Sequence, residues 1–162
     1  MTPYAIINVR PDAWRTENMK EIRATMGDSE VTDIEYVDVF VDGGTWLSKM
    51  NLESTVMPGE LGAVASTYET LSYLADSQLD EMLVFENDAI LVKEFVALYS
   101  DYRRQVPEDF DAFSLTAARR DLPKYYEHPA RYDIGQPQVC RAYQNWPSNA
   151  FLYSRAGARK AT

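Results

Sequence analysis

Residues 82–92 read MLVFENDAILV, and this stretch decides how the chain is organised. Its first four residues are apolar, which is typical of a buried strand. Glu86, Asn87 and Asp88 follow at once, and a second apolar run occupies 89–92. In open α/β sheets, ligands bind beyond the carboxyl ends of the strands. The stretch therefore predicts a central strand that brings two carboxylates, one residue apart, to a ligand-binding edge.

The segments on either side alternate between strand and helix patterns. Strands are predicted at 4–9, 34–41, 82–85, 110–115 and 150–153, and helices at 11–26, 59–77, 94–104 and from 155 onward. The helix at 59–77 has the clearest apolar face. Residues 45–58 and 117–147 are expected to form loops, and the second of these contains four prolines. Alternation of this kind predicts an α/β/α sandwich with a mainly parallel central sheet.

Length and composition limit the class of protein. The chain has 162 residues, of which 46% are hydrophobic, so we expect one compact domain with a real core and exclude wholesale disorder. No apolar run reaches about 18 residues, which excludes a transmembrane segment. The N-terminus lacks the pattern of a secretory leader, and the single cysteine, Cys140, cannot form an internal disulfide. These features predict a cytoplasmic protein.

Charge is distributed unevenly along the chain. The net charge is −9, which disfavours non-specific nucleic-acid binding. Residues 1–116 carry −14 and residues 117–162 carry +5, so the last third is basic. Arginine and lysine suit phosphate groups, and the tyrosines among them suit sugar rings or bases. An ordinary solvated surface is the alternative interpretation of the same residues.

The carboxylates of Glu86 and Asp88 are the first candidates for chemistry. Carboxylate oxygens bind hard divalent cations such as Mg²⁺ or Mn²⁺, and such a cation neutralises the phosphate charge of a nucleotide. The alternative is a strand that simply ends in a polar turn. The turn at 42–44 and the helix start at 58–60 also have two interpretations each. Each is either an ordinary turn or helix start, or a site that binds an anion. His128 has no ligand spacing around it that would indicate zinc.

Five segments, in order along almost the whole chain, share a pattern with one enzyme family. They are Ile7-Asn8-Val9 with Arg15 and Met19, Val41-Asp42-Gly43, Gly59-Glu60-Leu61-Gly62 with Ser66, Leu83-Val84-Phe85-Glu86-Asn87-Asp88-Ala89, and Ala150-Phe151-Leu152-Tyr153-Ser154 with Gly157-Ala158. Together they resemble glycosyltransferase family 25, the lipooligosaccharide galactosyltransferase-like proteins.

That resemblance implies a GT-A-like, Rossmann-like fold and a metal-dependent, inverting glycosyltransferase of the hexosyltransferase type. The enzyme would move a sugar from a nucleotide-sugar donor, a UDP-sugar, to a glycan or another hydroxyl acceptor. Its cofactor would be Mn²⁺ or Mg²⁺. One domain would occupy residues 1–162, with a shorter C-terminus than family members have. The protein would be either a monomer or a homodimer.

The same resemblance assigns roles to individual positions. The metal-site acids would be Glu86 and Asp88. The donor pocket would be lined by Asn8, Arg15, Asp42 and Gly43. An inverting enzyme needs a general base that deprotonates the acceptor hydroxyl. The catalytic residues would be Asp88 and this base. The resemblance does not place the base, for which Asp111 and Asp121 are candidates.

Two other hypotheses compete with the enzyme. The first is a non-catalytic GT-A-like module that binds a nucleotide, a glycan or a partner without turnover. Asn87 and Thr67 favour it, because they stand where the family has an acid and a histidine. The second is a protein that shares only the fold, in which Glu86 and Asp88 are a polar strand end.

Overall fold

A computed structural model describes residues 2–9, 12–35, 46, 58–115 and 149–162 of the chain. Five strands are present in these residues, namely β1 (Tyr4–Asn8), β2 (Glu30–Glu35), β3 (Glu81–Glu86), β4 (Ala112–Ser114) and β5 (Ala150–Ser154). The helices in the same residues are α1 (Ala13–Met26), α2 (Pro58–Asp76), α3 (Phe95–Arg103) and α4 (Arg155–Ala161). None of the described helices is long and apolar enough to cross a membrane.

The strands form one open sheet in the order β2-β1-β3-β5-β4. β1 is parallel to both of its neighbours, β2 and β3. β5 is antiparallel to both β3 and β4, so four strands run in one direction and β5 runs against them. The predicted α/β class with a parallel centre is confirmed, and the sheet as a whole is mixed.

Helices cover both faces of the sheet. The connection through α1 leads from β1 to β2 on one side, and the connection through α2 leads back across β1 to β3 on the other side. Crossovers of parallel strands are right-handed, so these opposite steps place α1 and α2 on opposite faces. α3 lies on the face of α1, and α4 packs against α2.

The apolar runs of β1 and β3 supply the core of both layers. Alternate residues point to opposite faces of a strand. The side chains that face α1 and α3 are Tyr4, Ile6, Leu83 and Phe85. Those that face α2 and α4 are Ala5, Ile7, Met82 and Val84. All eight are buried, which explains why these two strands are continuous apolar runs in the sequence.

The second strand starts earlier than predicted. The sequence pattern places it at 34–41, whereas β2 begins at Glu30, and residues 36–41 lie outside the described residues. The early part of β2 is acidic because it is the outermost strand on its side of the described sheet, and its charges pair with a helix. Nε of Arg23, on α1, donates to Glu30 at 2.8 Å, and the same guanidinium pairs with Asp33. Arg23 holds the pKa of Glu30 below its usual range.

Candidate functional site

Three segments meet at the carboxyl ends of β1 and β3. These strands are parallel, and Ile7 lies opposite Glu86. The chain leaves β1 towards β2 on one side while β3 lies on the other, which is the switch point where open α/β sheets bind ligands. β5 starts at the same edge, because it is antiparallel and Ala150 lies opposite Phe85. The backbone N–H of Glu86 donates to the carbonyl of Asn149 at 2.9 Å.

Asp88 lies at the centre of this edge and contacts two other segments. Its Oδ1 accepts a hydrogen bond from Nδ2 of Asn149 at 2.9 Å, and its Oδ2 is 3.9 Å from Nη2 of Arg15. Arg15 belongs to the first turn of α1, where Asp12 caps the helix by accepting from the Arg15 backbone N–H at 2.8 Å. Nε of Arg15 is buried and has no hydrogen-bond partner among the described residues. A guanidinium with an unused donor beside the site is suited to an anion such as phosphate.

Glu86 has different surroundings from Asp88. Its strand partner Ile7 faces α2, so Glu86 lies on that face of the sheet. Burial raises the pKa of Tyr153 to about 12, and the negative charge of Glu86 contributes to this shift to a smaller extent. β3 ends at Glu86 and a turn follows, in which Ala89 N donates to Glu86 O at 2.9 Å. The turn ends the strand alternation, so Asp88 contacts Arg15 on the α1 side.

Asn87, between these two acids, is fully buried. Its Nδ2 donates to Oδ1 of Asn8 at 3.1 Å and to the carbonyl of Val9. Nδ2 of Asn18, on α1, donates to the carbonyls of Asn87 and Ala89, each at 2.9 Å. Asn8, a predicted donor-pocket residue, therefore lies at this edge with its side chain bonded to Asn87.

A cleft of about 300 Å³ opens beside Asp88. Apart from Asp88 and Asn149, its described lining is apolar and consists of Ala89, Ile90, Leu91, Val92, Phe95, Leu115 and Ala150. Asp88 is the sole titratable group among the described residues of this lining. The cleft thus offers an apolar surface that ends at one carboxylate and one amide.

The part of the chain that the structure describes holds no cluster of three or more His, Cys, Asp or Glu side chains suited to a metal ion. Mg²⁺ is commonly bound through one or two carboxylates together with substrate phosphates rather than by a cage of protein ligands. The partly exposed carboxylate of Asp88 fits that second arrangement, because it faces the cleft and the Arg15 side chain.

Asp111, a candidate general base, lies at the other end of the sheet. Its carbonyl accepts from the backbone N–H of Ser154, which pairs with Glu81 at the start of β3. Its carboxylate is 2.6 Å from Nζ of Lys160. At about 3.3 Å per strand residue, the levels of Glu81 and Glu86 are roughly 16 Å apart. Asp111 is therefore too far from Asp88 to act on the same ligand atoms.

The remaining predicted positions divide into two groups. Asp42, Gly43 and Asp121 lie outside the described residues. Three members of the basic last third are described, and all lie on α4 at the end of the sheet where Asp111 lies. Arg155 pairs with Asp80 at 3.0 Å, Arg159 donates to a backbone carbonyl of α2, and Lys160 pairs with Asp111. These three cations do not reach the Asp88 edge.

Asn18 and Asn149 belong to the site and escaped the sequence analysis. Asn149 directly precedes an apolar strand, and a residue in that position reaches the carboxyl edge of the parallel strands only if its own strand is reversed. The sequence pattern does not give strand direction. Asn18 is one polar residue on the flank of an amphipathic helix, where no local signal separates it from a solvent-facing residue.

No protein-family model matches this chain, and a search of curated proteins finds no significant match. What the protein does is therefore inferred from the residues of the site.

Proposed function

We propose that this protein is a GT-A-like glycosyltransferase, which transfers a sugar from a nucleotide-sugar donor, a UDP-sugar, to a hydroxyl acceptor with inversion. The observation that carries the proposal is the meeting of Asp88 and Arg15 at the β1–β3 switch point, beside the cleft. The family resemblance of segments 7–9, 83–89 and 150–154 supports it further, because these segments adjoin one another at this edge.

The donor diphosphate would bind at the first turn of α1. The helix dipole favours an anion at this end of a helix. The Asp12 carboxylate already caps the Arg15 N–H and pairs with Nη1 of Arg15 at 3.2 Å, so the diphosphate would bind on the Nε and Nη2 side of that guanidinium. Arg15 adds a full positive charge, and its buried Nε lacks a partner among the described residues. Asp88 would hold Mn²⁺ or Mg²⁺ together with phosphate oxygens of the donor, and the bound cation would neutralise charge on the departing diphosphate.

The neighbouring residues would orient these two groups. Asn149 fixes one oxygen of Asp88 by a hydrogen bond of 2.9 Å and leaves the other oxygen on the Arg15 side. The apolar cleft that begins at Asp88 would receive the acceptor, which places the acceptor beside the donor.

A non-catalytic binding module is the second candidate, and one observation favours it. Asp88 is the sole titratable group among the described lining residues of the cleft. If Asp88 holds the cation, none of these lining residues can take the proton of an acceptor hydroxyl. In that case the same site would bind the nucleotide or glycan without transfer.

Calorimetric titration with UDP in the presence of Mn²⁺ tests the shared part of both proposals. We expect the parent to bind, and we expect Asp88→Asn to bind at least tenfold more weakly, because it removes the charge and keeps the acceptor for Asn149. Asp111→Asn is the matched control and should bind like the parent, since Asp111 lies at the other end of the sheet. If the parent does not bind UDP, or if Asp88→Asn binds UDP as well as the parent does, the proposed binding site at Asp88 is refuted.

Release of UDP from UDP-sugars separates the enzyme from the module. The enzyme should release UDP faster with a panel of hydroxyl acceptors than without them, and this rate should fall in Asp88→Asn. Tight UDP binding without release under any condition would favour the binding module.

A further inference from the structure

Asn87 connects the end of β3 to the end of β1 and to the second turn of α1. Its backbone N–H donates to the carbonyl of Ile7 at 3.1 Å, and its Nδ2 donates to Asn8 and Val9. On α1, Asn18 donates to the carbonyl of Asn87. One fully buried residue therefore bonds to the last residues of β1 and to the second turn of α1.

The two charged groups of the proposed donor site both depend on this residue. Asp88 is the next residue in the chain, so the backbone of Asn87 sets its position. Arg15 lies in the first turn of α1. Val9 before it and Asn18 after it both form hydrogen bonds with Asn87. From this arrangement we infer that Asn87 is a positioning residue, which sets the separation of Asp88 and Arg15. The inference rests on the proposed function, in which these two groups hold the donor.

The chemistry of the surroundings requires an amide at this position. Both groups that face Nδ2 are acceptors, the Asn8 Oδ1 and the Val9 carbonyl. A side-chain amide supplies two donors, whereas an ionised carboxylate supplies none. Oδ1 of Asn87 has no partner among the described residues, so the donor half of the amide makes the contacts. An acid here would be a buried charge that faces the Val9 carbonyl, an acceptor only, and the Asn8 amide would have to turn to present a donor, so the exchange is unfavourable.

The variant Asn87→Asp tests this, because it keeps the shape of the side chain and removes both donors. Thr70→Val is the matched control, since Thr70 is also fully buried and its hydroxyl donates one hydrogen bond, to Ser66 O at 2.7 Å in α2. UDP affinity with Mn²⁺ is measured well below the melting temperature of each variant. We expect Asn87→Asp to bind at least tenfold more weakly. Thr70→Val should lower the melting temperature and leave the affinity within twofold of the parent.

A double variant shows whether Asn87 acts through Arg15. In an Arg15→Ala background, Asn87→Asp should weaken UDP binding by a clearly smaller factor than in the parent, because one of the two groups that Asn87 positions is gone. An unchanged affinity in the single variant would overturn the inference, and so would a full tenfold effect in the Arg15→Ala background.

A ligand-free measurement keeps the inference separate from the proposed function. The Nε–H of Arg15 is buried, so its cross-peak in a ¹⁵N correlation spectrum should exchange slowly with solvent. We expect that cross-peak to shift and exchange faster in Asn87→Asp and to stay unchanged in Thr70→Val. If the parent does not bind UDP, the proposed function fails, and this signal still decides the inference, since an unmoved cross-peak overturns it. If Asn87→Asp does not fold, Asn18→Ala gives the same readout, because Asn18 is only partly buried.

Discussion

Gly157 is the position where one methyl group should have the clearest effect on stability. It lies in α4, where that helix touches the residue before β4. A Cβ at Gly157 would lie 2.2 Å from the carbonyl oxygen of Asp111 and 2.7 Å from its Cα. Ordinary contacts of a Cβ begin at about 3.4 Å, so Gly157→Ala must push the two backbones apart by about 1.2 Å. No flexible side chain is available to absorb the change, because the contact is with main-chain atoms.

Two effects of opposite sign determine the size of the change. Alanine is favoured over glycine in a helix by up to about 1 kcal/mol. Overpacking costs typically about 1–3 kcal/mol, and a contact with backbone belongs at the upper end of that range. The displacement also strains the two bonds that join Ser154 to this segment, N–H to Asp111 O at 3.1 Å and Oγ–H to Phe110 O at 2.6 Å. We expect a net loss of about 2 kcal/mol, or roughly 4–8 °C in melting temperature.

Urea and thermal unfolding, followed by circular dichroism, measure this loss. Ala156→Gly is the control, because Ala156 is the exposed neighbour in the same helix and should report helix propensity alone. It should cost no more than about 1 kcal/mol. If Gly157→Ala were as stable as the parent or more stable, the gain in helix propensity would outweigh the steric contact. The close approach of α4 to the backbone of Asp111 would then be refuted.

Two further predictions concern the core. Leu74→Ala on α2 should lower the free energy of unfolding in urea by about 2–5 kcal/mol, because Leu74 is fully buried. Val64→Ala, at an exposed position of the same helix, should change it by no more than about 0.5 kcal/mol. Equal effects would contradict the assignment of Leu74 to the buried face of α2. Burial raises the pKa of Tyr4 and of Tyr153 to about 12, whereas unfolded tyrosine titrates near pH 10. Their stabilising contribution is therefore complete below about pH 10 and is lost as the pH rises through about 12. Tyr4→Phe and Tyr153→Phe should each flatten the fall in stability between pH 9 and 12, and an unchanged slope in both would refute this.

The sequence predicts most of the elements because their physical causes are local. β1 and β3 are apolar on both faces, and α2 has a clear apolar face, so residue type alone identifies them. Strand direction is different, since it depends on how distant segments pair. The reversal of β5 follows from its pairing with β3 and β4, and the pattern of residues 150–154 is the same for either direction. The acidic start of β2 was missed for a related reason, because Arg23 of another element compensates its charge.

The candidate site could be predicted in part. The strand-end rule places Asp88 at this edge. Asn8, which the family resemblance assigns to the donor pocket, is the last residue of the neighbouring parallel strand and lies at the same edge. The sequence analysis brings Glu86 and Asp88 to one edge, but it does not show that the strand ends at Glu86 and that the following turn directs Asp88 towards α1. Asp111 was a candidate because of its residue type, whereas its position before β4 puts it at the amino end of the parallel strands. Distances of this kind depend on the topology of the whole sheet.

The contact between Arg15 and Asp88 differs in geometry from the pair between Arg103 and Glu81. Arg103 makes a two-pronged pair with Glu81, with Nη2 and Nε at 2.7 Å and 3.0 Å from Oε2, and stacks over the ring of Phe110. Such a pair satisfies both partners and leaves little for a ligand. Arg15 and Asp88 are 3.9 Å apart without a hydrogen bond, and each is about one-third exposed. Nη1 of Arg15 also pairs with the exposed carboxylate of Asp12 at 3.2 Å. A contact of that kind is worth at most about 1 kcal/mol. Little attraction between Arg15 and Asp88 would therefore be lost if a phosphate bound to Arg15 and a cation bound to Asp88. Each ligand would meet a side chain of opposite charge that is already in place.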